Sequence, residues 1–237
     1  MLPREKLGEL KELLLKSGGQ EIERRNKYEE YRIDLDGRVL IAYSTGTVVF
    51  HEDLATFVSE MFKGLGIRVG MDEVGKGEAE GPIVVCAVAL DDDGRRKAVS
   101  FGLVESKMSR EERTKEVAAR IREAALAIGT VVISPEEFRA VWRRGNLNEL
   151  LANWHARALE SVISSLKRAD KVIVDSFDER RLKEKLEPLA RKLGAELILE
   201  KGADRKYLEV AAASIVANEV RCSLMERGMR SRKWRTS

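Results

Sequence analysis

The sequence has few cysteines and no long apolar run. Its two cysteines, Cys86 and Cys222, lie far apart, and neither belongs to a spacing typical of zinc sites. No apolar stretch approaches the ~20 residues that a membrane span needs, and the first residues mix charges with leucines instead of forming a signal peptide. We therefore expect a cytoplasmic protein with reduced thiols that contacts no membrane.

The sequence also lacks a strong excess of either charge. Its 43 Lys and Arg residues nearly balance its 40 Asp and Glu residues, which leaves a formal net charge of +3 although 35% of the residues are charged. Any basic surface is therefore local and lies on a well-solvated protein. With 237 residues the chain can bury a sizeable core, in one or two domains.

Residues 1–66 predict a small α+β domain. Leucines at helical spacing in residues 4–16 predict a helix that ends at Gly18-Gly19, and residues 54–63 predict a second helix that ends at Gly64. Between the two helices, three β-rich runs predict a three-stranded antiparallel meander at residues 28–35, 38–43 and 47–51. So small a unit buries little surface alone, so it either packs on the rest of the chain or grips a partner with its sheet.

Residues 67–237 predict a second domain of the α/β class with a mixed sheet, because strands come first in a row and then alternate with helices. The predicted strands begin at Ile67 and continue at residues 83–90, 97–103, 171–174 and 195–199, with residues 130–133 as either a strand or a helix exit. Ser109 and Ser134 each precede a glutamate by three residues, the spacing of a capping box. Further helices are predicted at residues 147–167, 179–193 and 206–225, and the basic residues 227–235 form either a mobile nucleic-acid arm or a solubilising terminus.

Residues 70–82 carry the strongest chemical signal. Asp72 and Glu73 are adjacent at the end of a predicted strand, and Gly75-Lys76-Gly77 follows at once. Carboxylate oxygens are the ligands that Mg²⁺ or Mn²⁺ selects, while glycine amides and a lysine suit a phosphate group. The segment therefore predicts a metal-assisted phosphodiester site, as in a nuclease.

The same residues are not a P-loop. Position 77 lacks the Ser or Thr that holds Mg²⁺ in that motif, and Gly81-Pro82 opens a strand where a P-loop opens a helix. Neighbouring strand residues point to opposite faces, so only one of Asp72 and Glu73 can aim straight into a site unless the backbone bends.

Two further acids follow predicted strands. Asp175 ends the strand at residues 171–174, and Asp204 precedes the helix at residues 206–225. Asp175 stands at the carboxyl edge where parallel sheets present their site residues, and a metal role is open to both acids. Each is also a candidate helix N-cap, although Ser176 and Asp178 compete with Asp175 for that role. Spacing alone leaves open whether the acids meet in space.

These motifs, in this order, resemble those of the type 2 ribonuclease H group, and ribonuclease HIII more than ribonuclease HII. The residues that carry the resemblance are Gly70-Met71-Asp72-Glu73-Val74-Gly75-Lys76-Gly77, Gly81-Pro82, Gly145-Asn146-Leu147-Asn148, Asp175-Ser176-Phe177, Ala203-Asp204-Arg205-Lys206-Tyr207 and Ala211-Ala212-Ala213-Ser214. Residues 38–50 are similar to the TBP-like amino-terminal domain of ribonuclease HIII.

The resemblance implies an α/β fold with a ribonuclease H-like mixed five-stranded sheet flanked by helices, after a small α+β TBP-like domain that grips RNA/DNA hybrids. It implies an endoribonuclease, presumed monomeric by family analogy, that hydrolyses the RNA strand with two Mg²⁺ or Mn²⁺ ions and leaves 5′-phosphate and 3′-hydroxyl ends. The implied ligands are Asp72, Glu73, Asp175 and Asp204, whose mutual repulsion without metal predicts raised carboxylate pKa values.

The resemblance also implies substrate contacts at Gly75, Lys76, Gly77 and Lys107, and Asn148 is expected to line the cleft. Glu105 departs from the aspartate that usually precedes Ser106-Lys107 in the family. His155 ends the segment Ala152-Asn153-Trp154-His155, which also resembles ribonuclease HIII more than ribonuclease HII. It lies seven residues after Asn148, near one face of the same predicted helix, and is either a second residue of the cleft or a packing histidine. Three alternatives remain open: a noncatalytic hybrid-binding protein, a junction-cutting nuclease, and a ribonuclease HII-like enzyme that cuts at single embedded ribonucleotides.

Overall fold

The computed structural model describes residue 2 and residues 4–78, 80–100, 109–142 and 146–233. In these ranges the strands form two separate sheets, and each sheet has its own apolar core. No helix in the same ranges is both long enough and apolar enough to cross a bilayer.

The first sheet has four antiparallel strands in the order β1-β2-β3-β4. Its elements are α1 (Arg4–Lys16), β1 (Gln20–Glu21), β2 (Glu29–Leu35), β3 (Arg38–Tyr43), β4 (Val48–Phe50), a 3₁₀ helix (Glu52–Leu54) and α2 (Ala55–Glu60). The predicted meander corresponds to β2, β3 and β4, but the prediction missed β1, which pairs with the end of β2. Asp36 and Gly37 both have positive φ, as a tight hairpin between β2 and β3 requires.

The second sheet has five strands in the order β7-β6-β5-β8-β9. The strands are β5 (Arg68–Val74), β6 (Ile83–Leu90), β7 (Ala127–Ile133), β8 (Lys171–Asp175) and β9 (Glu196–Glu200). β5, β8 and β9 are mutually parallel, whereas β6 is antiparallel to both of its neighbours. The predicted mixed five-stranded sheet is therefore confirmed.

Helices cover both faces of this sheet. They are α3 (Asp92–Ser100), α4 (Arg110–Ala124), α5 (Pro135–Trp142), α6 (Leu147–Ser165), α7 (Glu179–Lys192) and α8 (Leu208–Lys233), with a 3₁₀ helix at Ala203–Arg205 before α8. Helices α6 and α7 pack on one face, and α4 and α8 pack on the other. At Gly70 an added Cβ would overlap the backbone of Glu209 and Val210, so glycine is what lets α8 lie directly on β5.

Two parts of the predicted pattern are wrong. Residues 97–100 of the strand predicted at 97–103 belong to α3, while residues 101–103 lie outside the described residues; the third strand of the row is β7. Helix α8 continues to Lys233, beyond the predicted end at Met225, so residues 227–233 are helical. The role of this basic segment, as an arm or a solubilising terminus, stays a prediction. The capping boxes at Ser109 and Ser134 are both formed.

The segment that joins the two sheets is tied to the second sheet by hydrogen bonds. The amides of Gly64 and Gly66 donate to the carboxylate of Asp92, and the amide of Ile67 donates to Asp170. Arg95 donates to the carbonyl oxygen of Gly66. The division of the chain into domains at residues 66 and 67 stays a prediction.

Candidate active site

The four predicted acids lie at one edge of the five-stranded sheet. Asp72 and Glu73 are near the end of β5, Asp175 is the last residue of β8, and Asp204 lies in the 3₁₀ helix that follows β9. Because β5, β8 and β9 are parallel, their carboxyl ends meet at the same edge. Topology therefore brings together acids that are more than a hundred residues apart in sequence.

Asp72 faces helix α8. Its side chain is 7% exposed, accepts a hydrogen bond from Ser214, and accepts another from the amide of Glu73 at 2.8 Å. The pKa of Asp72 is raised to about 7. Burial is the main cause, and the negative charges of Glu73 and Asp175 contribute to the same rise. A carboxyl group with such a pKa is poorly stable as an anion unless a cation lies close to it.

Glu73 faces the opposite side of the sheet, toward helix α6. Its Oε2 lies 3.0 Å from Nε2 of His155, and its Oε1 lies 3.5 Å from Nζ of Lys76. The alternation expected for strand neighbours is thus observed: Asp72 contacts α8 and Glu73 contacts α6. The two carboxylates still interact electrostatically, because both stand near the end of the strand.

Asp175 is bound by the backbone that follows β9. Its Oδ1 accepts hydrogen bonds from the amides of Gly202 at 2.6 Å and Ala203 at 3.2 Å. Burial is the main cause that raises the pKa of Asp175; the two amides lower it, and the charges of Asp204 and Glu73 raise it again. Asp175 therefore interacts electrostatically with two acids on other segments, Glu73 and Asp204.

Neither of the proposed N-cap roles is observed. The N-cap of α7 is Asp178, whose Oδ1 accepts from the amide of Arg181 at 3.2 Å. Asp204 lies within a 3₁₀ helix whose N-cap is Gly202, and α8 begins only at Leu208. Neither acid is therefore the N-cap of the helix that follows it, although Asp175 accepts from two amides at the start of the 3₁₀ helix.

The acids fit a hard divalent cation by their chemistry but do not enclose one as they stand. In the described part of the chain, no three His, Cys, Asp or Glu side chains converge closely enough to hold a metal ion. The carboxylates of Glu73 and Asp175 are instead turned to protein donors. Their oxygen ligands are of the type that Mg²⁺ or Mn²⁺ selects. Burial, and then the charges of neighbouring acids, raise the pKa of Asp72 and of Asp175, so a bound cation would favour their ionised forms.

The loop after β5 is held against helix α8 by the side chain of Arg221. Gly75 and Gly81 have φ of 96° and 90°, a conformation that favours glycine. Arg221 of α8 donates to the carbonyl oxygens of Pro82 at 3.1 Å and Glu80 at 2.6 Å, and it pairs with Glu78 at 2.7 Å. Arg221 thus holds the described residues on both sides of position 79, in a loop that contains three glycines in residues 75–81.

Lys76 of this loop stands over an aromatic ring. Its Nζ is 4.1 Å from the ring centroid of Phe177, which follows β8, and Phe177 also contacts His155 at 5.7 Å between centroids. A cation over a ring face at this distance is an attractive contact. Lys76, Phe177, His155 and Glu73 therefore form one contiguous group beside Asp175.

The remaining predicted site residues divide into two cases. Asn148 donates from Nδ2 to Asp178 at 3.3 Å, at the start of α7, so its contact is with the cap of that helix. Lys107 lies outside the described residues. His155, for which the sequence left a cleft role and a packing role open, is fully buried and contacts Glu73. The signals for it in the sequence are its spacing from Asn148 and the family-like segment that it ends.

Comparisons with known proteins agree with this geometry. The family model described as Ribonuclease HII matches residues 69–236. Ribonuclease HII of Pyrococcus furiosus is 36% identical over 165 residues, which cover 67% of this chain and 69% of that protein. Ribonuclease HIII of Streptococcus thermophilus is 24% identical over 212 residues, which cover 83% of this chain and 71% of that protein.

A similar fold is found in the crystal structure of Bst-RNase HIII in complex with Mn²⁺. The TM-score is 0.61 at 22% sequence identity, and the match covers 98% of this chain and 82% of that one. The predicted ribonuclease H-like fold is thereby confirmed. Because the family model spans the whole five-stranded sheet and the helices around it, the chain belongs to the ribonuclease HII family and is a ribonuclease H.

Proposed function

We propose that this enzyme cuts the RNA strand of RNA/DNA hybrids with Asp72, Glu73, Asp175 and Asp204 as the metal ligands. The observation that carries the proposal is the position of the four acids at one edge of the five-stranded sheet, at the ends of β5 and β8 and in the 3₁₀ helix after β9. Burial first, and then the charges of other members of the set, raise the pKa of Asp72 and of Asp175 at this edge. Four carboxylates at one sheet edge repel one another, and a divalent cation removes that repulsion.

The four acids would hold two Mg²⁺ or Mn²⁺ ions. When bound, such ions activate a water molecule and stabilise the leaving oxygen of a phosphodiester. Ser214 and the amides of Gly202 and Ala203 hold Asp72 and Asp175 in place before any ion arrives. The expected products carry 5′-phosphate and 3′-hydroxyl ends.

Gly75, Lys76 and Gly77 are proposed to contact the nucleic-acid backbone. The loop is shaped by Arg221, and Lys76 offers a positive charge at the site, which suits a phosphate more than a base. Replacing Lys76 with Gln is expected to raise KM and to reduce the salt dependence of hybrid binding by about one phosphate contact. Lys192→Gln, at the far exposed end of α7, is the matched control.

Residues 1–66, which contain the first sheet, are proposed to form a domain that binds the hybrid. The whole chain would then be an enzyme of the ribonuclease HIII type. Support comes from the extent of similarity: the match to ribonuclease HIII covers 83% of the chain, whereas the match to ribonuclease HII covers 67%. This proposal carries the further expectations of a monomer in the cytoplasm and of Lys107 and Asn148 as additional substrate contacts.

A second candidate is a ribonuclease HII-like enzyme that cuts beside single embedded ribonucleotides. The observation in its favour is the higher identity to ribonuclease HII, 36% against 24% for ribonuclease HIII. The two candidates share the same acids and differ in the substrate that they accept.

One experiment tests the function and separates the candidates. An end-labelled RNA/DNA hybrid and a DNA duplex with one ribonucleotide are incubated with Mg²⁺ or Mn²⁺ and either the native enzyme or Asp72→Asn. We expect metal-dependent cutting of the hybrid that Asp72→Asn lacks, while that variant still binds the hybrid. Cutting of the single-ribonucleotide duplex would favour the second candidate, and binding without any cutting would overturn the catalytic proposal.

A further inference from the structure

His155 is a buried polar side chain at the site to which the proposed chemistry gives no task. It lies on the apolar face of α6, among Leu151, Ala152 and Leu159, and its side chain is fully buried. Its Nε2 is 3.0 Å from Oε2 of Glu73. Its Nδ1 has no hydrogen-bond partner among the described residues.

The contact fixes which nitrogen carries the proton. A carboxylate oxygen can only accept a hydrogen bond, so Nε2 of His155 donates to Oε2 of Glu73. A proton on Nδ1 would be a buried donor without an acceptor. With a proton on Nε2 the ring donates to Glu73, and Nδ1 remains without a partner among the described residues.

Packing alone does not account for a histidine at this position. The ring contacts Phe177 with an angle of 49° between the planes, and a Phe or Leu would fill such a space without leaving a buried nitrogen unpaired. An unpaired buried polar atom is destabilising, whereas an apolar side chain is not. The polar nitrogen that points at Glu73 is what distinguishes His155 from its neighbours.

We infer that His155 is a positioning residue that holds Oε2 of Glu73, so that Oε1 is left for a divalent cation. The inference rests on the proposed function of Glu73 as a metal ligand. Oε1 already faces a cation, since Nζ of Lys76 lies 3.5 Å from it. Side chains that orient a metal ligand by hydrogen bonding commonly change metal affinity 10- to 100-fold when they are replaced.

Three substitutions separate positioning from packing. In His155→Gln the amide nitrogen stands as many bonds from Cα as Nε2 does, so it can still donate to Glu73. In His155→Asn the amide is too short to reach. His155→Phe keeps an aromatic ring and removes the donor. Thermal unfolding in EDTA establishes that each variant is folded.

The first readout is Mn²⁺ binding by calorimetry in the absence of substrate, and the second is the kcat and KM of hybrid cleavage. We expect Asn and Phe to weaken Mn²⁺ binding about 10- to 100-fold and to lower kcat with little change in KM. We expect Gln to restore both values to within about fivefold of the native enzyme. Native Mn²⁺ affinity and kcat in His155→Asn, or a Gln variant as impaired as Asn, would overturn the inference.

If a His155 variant is unstable, the effect of His155→Asn on Mn²⁺ binding is compared in the native enzyme and in a Glu73→Gln enzyme. If His155 acts through Glu73, then His155→Asn causes little further loss of Mn²⁺ binding in the Glu73→Gln background. A full additional loss would mean an independent structural effect and would overturn the inference. A native enzyme that neither binds Mn²⁺ nor cuts the hybrid would instead refute the proposed function.

Discussion

Arg95 of α3 and Glu209 of α8 form a buried ion pair, with Nη1 and Oε1 2.8 Å apart. The Arg95 side chain is fully buried and that of Glu209 is 3% exposed. Arg95 also donates to the carbonyl oxygens of Leu90 and Gly66. One guanidinium therefore joins the segment between the two sheets to the helix that lies against Asp72.

Replacement of Arg95 alone should be strongly destabilising. Arg95→Met leaves the carboxylate of Glu209 buried without its partner, so we expect the free energy of unfolding to fall by about 3–5 kcal/mol. The double substitution with Glu209→Met should recover much of that loss. Urea unfolding measures both, with Lys6→Met as control, because the partly exposed pair of Lys6 and Glu9 contributes less than about 1 kcal/mol. Equal losses at Arg95 and Lys6 would contradict this expectation.

Arg221 should control the shape of the loop that carries Lys76. Lysine offers a point charge and cannot make the forked contacts with Pro82, Glu80 and Glu78. We therefore expect Arg221→Lys to lower kcat/KM for hybrid cleavage by about tenfold, which corresponds to ~1.4 kcal/mol. Arg122→Lys is the control. Arg122 of α4 has a partly exposed side chain and pairs with Glu219, which lies on α8 as Arg221 does. If both variants behave alike, the loop does not depend on Arg221.

The stability of the metal-free enzyme should depend on the ionisation of Asp72. Its pKa is about 7 in the folded protein and about 4 in the unfolded chain, so the folded state binds the proton more tightly. This contribution is fully present below about pH 4 and is lost as the pH rises through 7. Relative to Asp72→Asn, the native enzyme should thus lose at most ~4 kcal/mol of unfolding free energy between these limits. Urea unfolding in EDTA from pH 4.5 to 8 checks this; a constant difference would refute it.

Gly70 should tolerate no side chain. A Cβ there would overlap the backbone of Glu209 and Val210, and backbone atoms cannot move aside as a flexible side chain can. We expect Gly70→Ala to reduce the free energy of unfolding by about 3 kcal/mol, the upper end of the usual cost of overpacking. Gly8→Ala is the control, because nothing lies within 4 Å of its added Cβ and alanine favours the helix at that exposed site. A Gly70→Ala variant with native stability would mean that α8 does not approach β5 so closely.

Local patterns predict the elements of this fold well where they carry caps or alternation, as at Ser109 and along β6. They fail at residues 91–100, because the residues that mark turns also cap helices. Asp91 accepts a hydrogen bond from the amide of Gly94 at 2.7 Å and starts α3, whereas Asp91 to Gly94 alone suggests a turn. Long-range partners are invisible to local patterns: His155 and Glu73 are 82 residues apart, and Arg95 and Glu209 are 114 apart.

Helix α8 touches three places that matter for the reaction. Glu209 pairs with Arg95, which binds the junction between the sheets at Gly66, while Ser214 contacts Asp72 and Arg221 contacts the glycine loop. With a rise of 1.5 Å per residue, these contacts span about 18 Å of one continuous helix. Because helix α8 is continuous, it sets the spacing between the junction and the proposed active site. A tilt at one end of the helix would therefore displace Asp72 and the glycine loop together.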